Sequence, residues 1–496
     1  MTSETMTTTD APLNPELAPD HASYAKRNGL VINLLLVATF VVMLNETAMT
    51  VALPLLMEAL NVEASAAQWL TTSFLLTMAV VIPVTGFLLQ RFSTRQIFMT
   101  AILLFSVGTA IAVVSPSLWV LVFARVIQAA GTAIMMPLLM TTVMTLVPPD
   151  QRGKMMGNIS IVMSVAPAIG PVLAGIIFAN LPWPFFFALM LVFSIGAAIL
   201  GYRQMVNVTT PRNAPLDYIS VVLSAIAFGG VAYGLSAFGE PADVRITDPL
   251  IPLLVGAVVM VLFVWRQIIL AKSGRALLDL STLKQKNFTI SMAMLAILML
   301  GMFGTFVLLP IYLSSVLHME IWQIAFMLMP GALMMGLLGP FVGRLYDKVG
   351  PTPLIVPAMA VVSAVFWALT LVGVDTPWWA IFAGHIAMSL GFAFLFGPLF
   401  TASLSSVPPQ LYSYGSALLG SIQQLAGAAG VALFVALMSS RAASLNPENV
   451  VPVPPGPLTE GIKLAFMVGA SIVLVAFVIS FFVRKPPAQE GGWGGH

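Results

Sequence analysis

The chain has 496 residues, of which 59% are hydrophobic and only 8% are charged. Soluble domains carry about 25% charged residues, so this composition cannot cover a water-facing surface and excludes a soluble protein. The absence of cysteine excludes disulfides and thiolate chemistry, and a net charge of +2 is too small to indicate a nucleic-acid partner. Apolar stretches of 18 or more residues recur along the chain, which predicts an all-α integral membrane protein.

The first apolar stretch follows a polar N-terminal segment. It is about 28 residues long and is not followed by a small-residue cleavage site, so we interpret it as a retained span rather than a signal peptide. Polar and Pro/Gly turns divide the remaining chain into thirteen further spans. The predicted limits are 30–57, 67–90, 95–115, 118–146, 155–180, 184–205, 216–238, 249–271, 287–314, 320–346, 351–373, 377–405, 412–440 and 459–484.

The basic residues predict the orientation of these spans. With the N-terminus in the cytoplasm, seventeen lysines and arginines fall in cytoplasmic loops and span ends, and only Arg245, Arg441 and Lys463 fall outside. Positive residues accumulate on the cytoplasmic side of membrane proteins. The even number of spans then places both termini in the cytoplasm.

The chain contains an internal repeat. Segment 121–151 recurs as 381–411, and the loop that begins at Gly86 recurs at Gly343. Such halves indicate a transporter with its site between them, near the bilayer midplane. We expect spans 7 and 8 to lie outside both halves and to add no side chain to the transport path. The predicted organisation is a disordered cytoplasmic tail (1–29), an N-terminal six-helix bundle (30–205), two inserted helices with linkers (206–275), a C-terminal six-helix bundle (276–484) and a cytoplasmic tail (485–496).

Glu46 lies in the middle of the first span. It is about 24 Å along a helix from Leu30 and about 16 Å from Met57. A charged carboxylate at that depth costs at least ~2.5 kcal/mol unless it faces a cavity or a partner. A buried carboxyl group can bind and release a proton near neutral pH, which predicts a role in proton coupling. The alternative is a structural hydrogen bond or salt bridge between helices.

Arg125 is the only basic residue well inside a predicted span. Because arginine keeps its proton, it must face water, backbone oxygens or an anion. We expect it to pair with deprotonated Glu46 and to compete with the proton, and a fixed bridge between spans 1 and 4 is the alternative. His385 occupies the equivalent place in the second repeat and is a second candidate for titration, although a lone helical histidine is more often a packing residue.

Other polar and aromatic side chains of the spans are candidates for contact with a substrate. Gln423 and Gln424 in span 13 could contact a substrate or join helices by hydrogen bonds. Aromatic residues in the outer half of span 2 could line a cavity, or could simply fill helix contacts. The predicted substrate cavity consists of Asn45, Met49, Trp69, Phe74, Gln423 and Gln424.

Four motifs, in this order, resemble those of the major facilitator superfamily and in particular its fourteen-helix drug:proton antiporter branch. LNETAMTVALP (44–54) resembles the acidic motif of the first helix, and GFLLQRFSTR (86–95) resembles the loop after the second. LVFARVIQAAGTA (121–133) resembles the arginine motif of the fourth helix, and PAIGPVLAG (167–175) resembles the antiporter motif of the fifth. Within the branch, the chain is similar to lincomycin-resistance-type and quaternary-ammonium-type multidrug exporters.

The resemblance implies roles for particular residues. It implies that Glu46 carries the coupled proton. It implies that Gly170, Pro171 and Gly175 form a motif typical of exporters, in which span 5 packs against the other half. The alternative is an ordinary close helix crossing, which says nothing about the direction of transport. It also implies a cytoplasmic gate, in which Gln90 and Ser93 replace the usual aspartate and glycine; Arg91 and Arg95 are equally compatible with topology anchors. The predicted gate consists of Gly86, Gln90, Arg91, Arg95, Gly343, Asp347 and Lys348.

These features together predict a proton-coupled multidrug exporter of hydrophobic or cationic compounds. We expect a monomer in a bacterial cytoplasmic (inner) membrane, with the lipid bilayer and small molecules as partners, driven by the proton gradient without a metal or cofactor. The alternative is an exporter dedicated to one endogenous metabolite, lipid or antibiotic. The sequence has no P-loop for a primary pump, no metal-ligand cluster or convergent catalytic residues for an enzyme, and no repeated polar rings for a channel. A receptor that does not transport is a further alternative that the sequence does not exclude.

Overall fold

The computed structural model describes residues 21–208, 211, 215–238, 247–446, 450 and 453–485. Within these ranges the chain is helical, with fourteen helices that are long and apolar enough to cross a membrane. The prediction of an all-α membrane protein with fourteen transmembrane helices is therefore confirmed. The helices are α1 (His21–Leu60), α2 (Ala64–Arg91), α3 (Thr94–Val113), α4 (Leu118–Leu146), α5 (Arg152–Asn180), α6 (Pro184–Gln204), α7 (Tyr218–Phe238), α8 (Leu250–Ala271), α9 (Lys286–Ser315), α10 (Ile321–Val349), α11 (Thr352–Leu369), α12 (Trp378–Ser405), α13 (Tyr412–Ser444) and α14 (Pro455–Ser480).

Local sequence determines where several helices begin and end. α1 begins at His21, so the prediction of a disordered segment through residue 29 was wrong for 21–29, which contain no proline and continue the helix beyond the apolar span. Residues 1–20 and 486–496 of the two predicted tails lie outside the described residues. Ser93 forms a capping box with Gln96 at the start of α3. Gly350 follows α10 with φ of 80°, a conformation that glycine adopts without strain.

Helices related by the sequence repeat make equivalent contacts. In the first half, α1 packs against α4, α5 and α6, and α3 packs against α4 and α6. In the second half, α9 packs against α12, α13 and α14, and α11 packs against α12 and α14. The two halves meet along two seams, α2 with α13 and α5 with α10. The architecture therefore has an approximate twofold symmetry that exchanges α1–α6 with α9–α14.

The two inserted helices lie against one of these seams. α7 packs against α2 of the first half and α13 of the second, whereas α8 packs mainly against α7. At one end of this hairpin Arg266 donates two hydrogen bonds to Asp217, at 2.8 and 2.9 Å. Gln267 donates to Ser220 and accepts from the backbone N–H of Leu277, both at 2.8 Å. These contacts join the hairpin to the linker that leads to α9.

The same end of the molecule carries most of the basic residues, and we call it the basic end. Here α2, α4, α10 and α12 finish and α5 and α13 begin. The charge pattern predicts that the basic end faces the cytoplasm. It is marked by Arg91, Arg95, Arg152, Lys154, Arg344 and Lys348.

The ion pair of the hairpin should contribute to stability in a pH-dependent way. The Arg266 guanidinium lowers the pKa of the Asp217 carboxyl group from 3.8 to about 2 through its hydrogen bonds. Because this pKa is depressed in the folded state, the stabilisation is present above pH ~4 and disappears as the pH falls through about 2. We expect Asp217→Asn to lower the thermal unfolding midpoint in detergent by about 1–2 °C at pH 7, with the difference vanishing toward pH 2.

Asp375→Asn is the matched control for this measurement. Asp375 is exposed and has no hydrogen bond within the described part of the chain, so its substitution should leave the midpoint unchanged. Equal midpoints for Asp217→Asn and the native protein at pH 7 would show that the ion pair does not stabilise the fold.

Candidate transport site

Glu46 lies midway along α1 with neighbours that contact two different helices. Asn45 donates to Gln128 of α4 at 3.5 Å, and Thr47 lies against Gly170 of α5. Successive residues of a helix point about 100° apart, so Glu46 points into the sector between α4 and α5. Its side chain is partly exposed, whereas Asn45 is fully buried. A partly exposed carboxyl group therefore lies deep in the apolar part of the first half.

Arg125 of α4 lies near this carboxyl group but is bonded to uncharged groups. Its guanidinium donates to the side-chain oxygen of Gln128 at 3.1 Å and to the carbonyl oxygen of Leu70 at 3.3 Å. It also lies over the ring of Phe74, 4.0 Å from the ring centroid, which is a cation–π contact. A fully buried cation is thus stabilised by a carboxamide, a carbonyl and an aromatic ring.

The expected direct pair between Arg125 and Glu46 is not formed. The residues that the structure describes contain two ion pairs, and these join Arg266 to Asp217 and Lys463 to Glu460. The physical reason is Gln128, which lies one helical turn after Arg125 on the same face of α4 and supplies an acceptor at shorter range. The charges of Arg125 and Glu46 still interact electrostatically.

Gln128 is the residue of this site that our sequence reasoning missed. It is fully buried, and its side-chain oxygen accepts from both Arg125 and Asn45 while its amide nitrogen donates to Thr109 of α3 at 2.9 Å. One carboxamide therefore joins α1, α3 and α4 around the arginine. The three-residue spacing from Arg125 was the available signal, because residues at that spacing share one face of a helix.

The residues of the predicted substrate cavity lie in different environments. Asn45, Met49 and Phe74 are buried in the packed interior of the first half. Trp69 stacks on Tyr233 of α7, with the ring centroids 6.4 Å apart. Contact with a substrate stays a prediction for these four residues, and for Asn45, Met49 and Phe74 it requires exposure in another conformation.

The two remaining cavity candidates, Gln423 and Gln424, are half-buried on α13. Within the described chain neither makes a hydrogen bond to another residue. Their amides are therefore available to a ligand in this conformation. Contact with a substrate stays a prediction for both.

The structure places His385 apart from Glu46 and Arg125, in the second half. His385 is buried on α12, and its Nε2 lies 3.1 Å from the carbonyl oxygen of Leu328 on α10. Its Nδ1 has no hydrogen-bond partner among the described residues. The ring thus forms part of the contact between α10 and α12, and its titration during transport stays a prediction.

We expected Gly170 to face the other half. It faces α1 of its own half instead. A Cβ atom there would contact the Thr47 hydroxyl and lie 2.8 Å from the carbonyl oxygen of Leu44. The glycines of α5 that face α10 are Gly153 and Gly157. Gly170 is thirteen residues beyond Gly157, a rotation of about 220° around the helix, which places it on nearly the opposite face. The antiporter motif therefore permits α5 to approach the helix that carries Glu46.

The predicted gate residues Asp347 and Gln90 each bind the opposite half at the basic end. Asp347 of α10 accepts hydrogen bonds from the backbone N–H groups of Gly153 and Lys154 in the first turn of α5, both at 2.8 Å. A carboxylate at this position also interacts favourably with the helix dipole. Gln90 of α2 donates to the Gln410 carbonyl at 2.9 Å and to the Ser413 hydroxyl at 3.1 Å, at the start of α13. The two contacts are thus equivalent in position, but only the one at Asp347 involves a charged side chain.

Of the other predicted gate residues, the two glycines lie against the opposite half and Arg95 does not. Gly343 permits close backbone contact with Gly153, and a Cβ on Gly86 would lie 3.1 Å from the Tyr414 ring. Arg95 instead contacts its own half. It donates a hydrogen bond to the Tyr202 carbonyl at 2.6 Å, and its guanidinium lies over the Tyr202 ring. Arg91 is the last residue of α2, and Lys348 is exposed near the end of α10.

Two pseudo-equivalent helical halves that close against each other at one end, around a buried carboxyl group and a buried arginine, define a membrane transporter. The chain belongs to the Major Facilitator Superfamily, whose family model matches residues 35–431.

Its relatives agree with this membership. The chain is 35% identical to the lincomycin resistance protein LmrB of Listeria monocytogenes over 462 residues, 92% of this chain and 96% of LmrB. It is 36% identical to the MFS-type transporter YcnB of Bacillus subtilis over 466 residues, 93% and 96% of the two chains. The crystal structure of the human organic anion transporter MFSD10 (TETRAN) is similar in fold, with a TM-score of 0.63 at 15% identity, covering 91% of this chain and 99% of that one.

The contact between Gly170 and α1 can be tested with a pair of alanine substitutions. Gly170→Ala would force α5 away from α1, and we expect a loss of about 1–3 kcal/mol in stability together with reduced transport. Gly175→Ala is the matched control on the same helix, because no atom lies within 4 Å of its Cβ position. Thermal unfolding in detergent and efflux from cells measure both effects. Equal behaviour of the two variants would contradict the close approach of α5 to α1.

Proposed function

We propose that this transporter is a proton-coupled exporter of lipophilic compounds, including cations, that works by alternating access. The observation that carries the proposal is Glu46, a partly exposed carboxyl group in the apolar part of the first half without an ion-pair partner in the described chain. A carboxylate in such surroundings is costly, and it can be neutralised either by a proton or by a cationic ligand. This competition for one group is what exchange of a proton for a substrate requires.

The groups around Arg125 support a coupling role for Glu46. Gln128, the Leu70 carbonyl and the Phe74 ring stabilise the guanidinium, so Arg125 keeps these three partners whether or not Glu46 is charged. The carboxyl group can therefore gain and lose its proton without leaving an unpaired arginine behind. Arg125 lies close enough to favour the charged form of Glu46 electrostatically, which would assist release of the proton.

The closed basic end supports a direction for the cycle. If the basic end faces the cytoplasm, as the charge pattern predicts, this conformation is closed to the cytoplasm. Glu46 would then receive its proton from outside. It would release that proton after the halves part at the basic end and a substrate enters from the cytoplasm or the inner leaflet. The relatives named for lincomycin resistance support export rather than uptake.

The proposal is tested by comparing Glu46→Gln with Glu58→Gln, an exposed position on the same helix. The proteins are reconstituted in liposomes and tested with lincomycin and a panel of lipophilic cations, with pH recorded beside substrate flux. We expect Glu46→Gln to fold, because its neighbour Arg125 keeps its own partners, but to lose proton-driven transport and substrate-induced proton release. Glu58→Gln should match the native protein.

Glu46→Asp provides a graded variant in the same assay. It keeps the carboxyl group but shortens the side chain by one methylene, so we expect partial transport with a shifted pH optimum. Undiminished proton-driven transport by Glu46→Gln would overturn the proposal. Transport of only one compound in the panel would favour a dedicated exporter over a multidrug exporter.

A further inference from the structure

Two residues that are equivalent in the sequence repeat contact each other at the centre of the basic end. The segments PPDQR (148–152) and PPQLY (408–412) align, which pairs Arg152, the first residue of α5, with Tyr412, the first residue of α13. The Arg152 guanidinium lies over the Tyr412 ring, 5.6 Å from the ring centroid. Equivalent residues of a twofold arrangement can touch each other only near the axis. This contact therefore lies near the pseudo-twofold axis, where both seams converge.

The remaining partners of Arg152 belong to its own half. Its guanidinium donates to the carbonyl oxygens of Met144 at 2.9 Å and Val147 at 3.2 Å, at the end of α4. A cation at the carbonyl end of a helix is favourable. The side chain is buried, and neither ion pair of the described chain includes it.

We propose that Arg152 and Tyr412 form a central gate whose contact holds the basic end shut and breaks whenever the halves part there. Because the contact joins the two halves near their axis, opening of the basic end must separate the guanidinium from the ring. The bonds to Met144 and Val147 remain, since α4 and α5 move together as parts of one half. Arg152 exchanges a ring face for water and keeps its two carbonyls, so the gate opens without leaving this buried charge unpaired.

This gate differs from the contacts of Asp347 and Gln90 in position and in chemistry. Those two residues form hydrogen bonds along the two seams, Asp347 to backbone N–H groups and Gln90 to a carbonyl and a hydroxyl, whereas Arg152 and Tyr412 form a cation–π contact at the centre. The inference rests on the two-half fold and not on proton coupling or on any substrate. Its test can therefore fail or succeed independently of the proposed function.

The absence of native cysteine permits a direct test of accessibility. Ser416→Cys introduces a single thiol one turn after Tyr412, at a buried position that is hydrogen-bonded to Thr141 across the seam. Labelling with a membrane-impermeant maleimide, in vesicles of both orientations, reports opening of the basic end. Ser273→Cys, exposed at the same end, serves as a labelling control that should react equally in every background.

We expect Tyr412→Leu to raise labelling at position 416 by about fivefold, the change in an equilibrium that follows from loss of one buried cation–π contact. Tyr412→Phe keeps the ring and should label like the parent. Comparison of Tyr412→Leu with Tyr412→Phe also distinguishes an effect on the gate from an effect on folding, because both variants alter the same buried position. Unchanged labelling of Tyr412→Leu, or an equal rise in Tyr412→Phe, would overturn the proposal.

Exchange of Arg152 and Tyr412 for each other provides the most specific test of the contact. Arg152→Tyr and Tyr412→Arg should each increase labelling alone. The double variant restores one guanidinium and one ring on the axis. The displaced guanidinium would lie near the end of α12, where Leu404 and Val407 are the repeat equivalents of Met144 and Val147. We expect the double variant to return to within about twofold of the parent; labelling as high as in the single variants would contradict the gate.

Discussion

A cation buried among membrane helices must be stabilised by groups that stay with it, and this constraint organises both sites of the molecule. Arg125 is held by Gln128, the Leu70 carbonyl and the Phe74 ring. Arg152 is held by two carbonyls at the end of α4, which belong to its own half. Neither arginine forms an ion pair within the described chain. The protein thus keeps two buried charges without fixing them to carboxylates, and Glu46 has no ion-pair partner among the described residues.

The approximate symmetry of the fold makes its asymmetric features informative. Asp347 and Gln90 occupy equivalent places, but the carboxylate forms charge-assisted bonds to the start of α5 while the amide forms neutral bonds to α13. Charge-assisted hydrogen bonds are roughly twice as strong as neutral ones. The Asp347 contact of the α5–α10 seam is therefore stronger than the Gln90 contact of the α2–α13 seam. The second seam is the one against which the inserted α7 packs.

The sequence was a good guide to the features that depend on repeated, local patterns. Apolar length predicted all fourteen spans, and the repeat between 121–151 and 381–411 predicted the equivalence of the halves that the helix contacts display. Glu46 and Arg125 stood out because charged residues are rare inside apolar spans. Both features can be recognised within one stretch of sequence, without knowledge of which helices meet.

The features that could not be predicted depend on which helix face meets which neighbour. Gly170 was expected at the other half but lies against α1, because helix rotation over thirteen residues moves it away from α10. Gln128 escaped notice because a lone glutamine in an apolar helix carries no sign of its role until Arg125 and Asn45 are placed beside it. The start of α1 at His21 was missed because polarity marks where a span leaves the membrane, not where its helix ends.

The proposed function depends on one event, the exchange of a proton at Glu46 while Arg125 remains bonded to its uncharged partners. Difference infrared spectroscopy on the reconstituted protein tests it most directly, because a protonated carboxyl group has a carbonyl band that its carboxylate lacks. We expect a band that is absent from Glu46→Gln, present in the native protein before substrate is added, and lost when a cationic substrate binds. A native spectrum without this band, or one in which substrate leaves it unchanged, would contradict the claim.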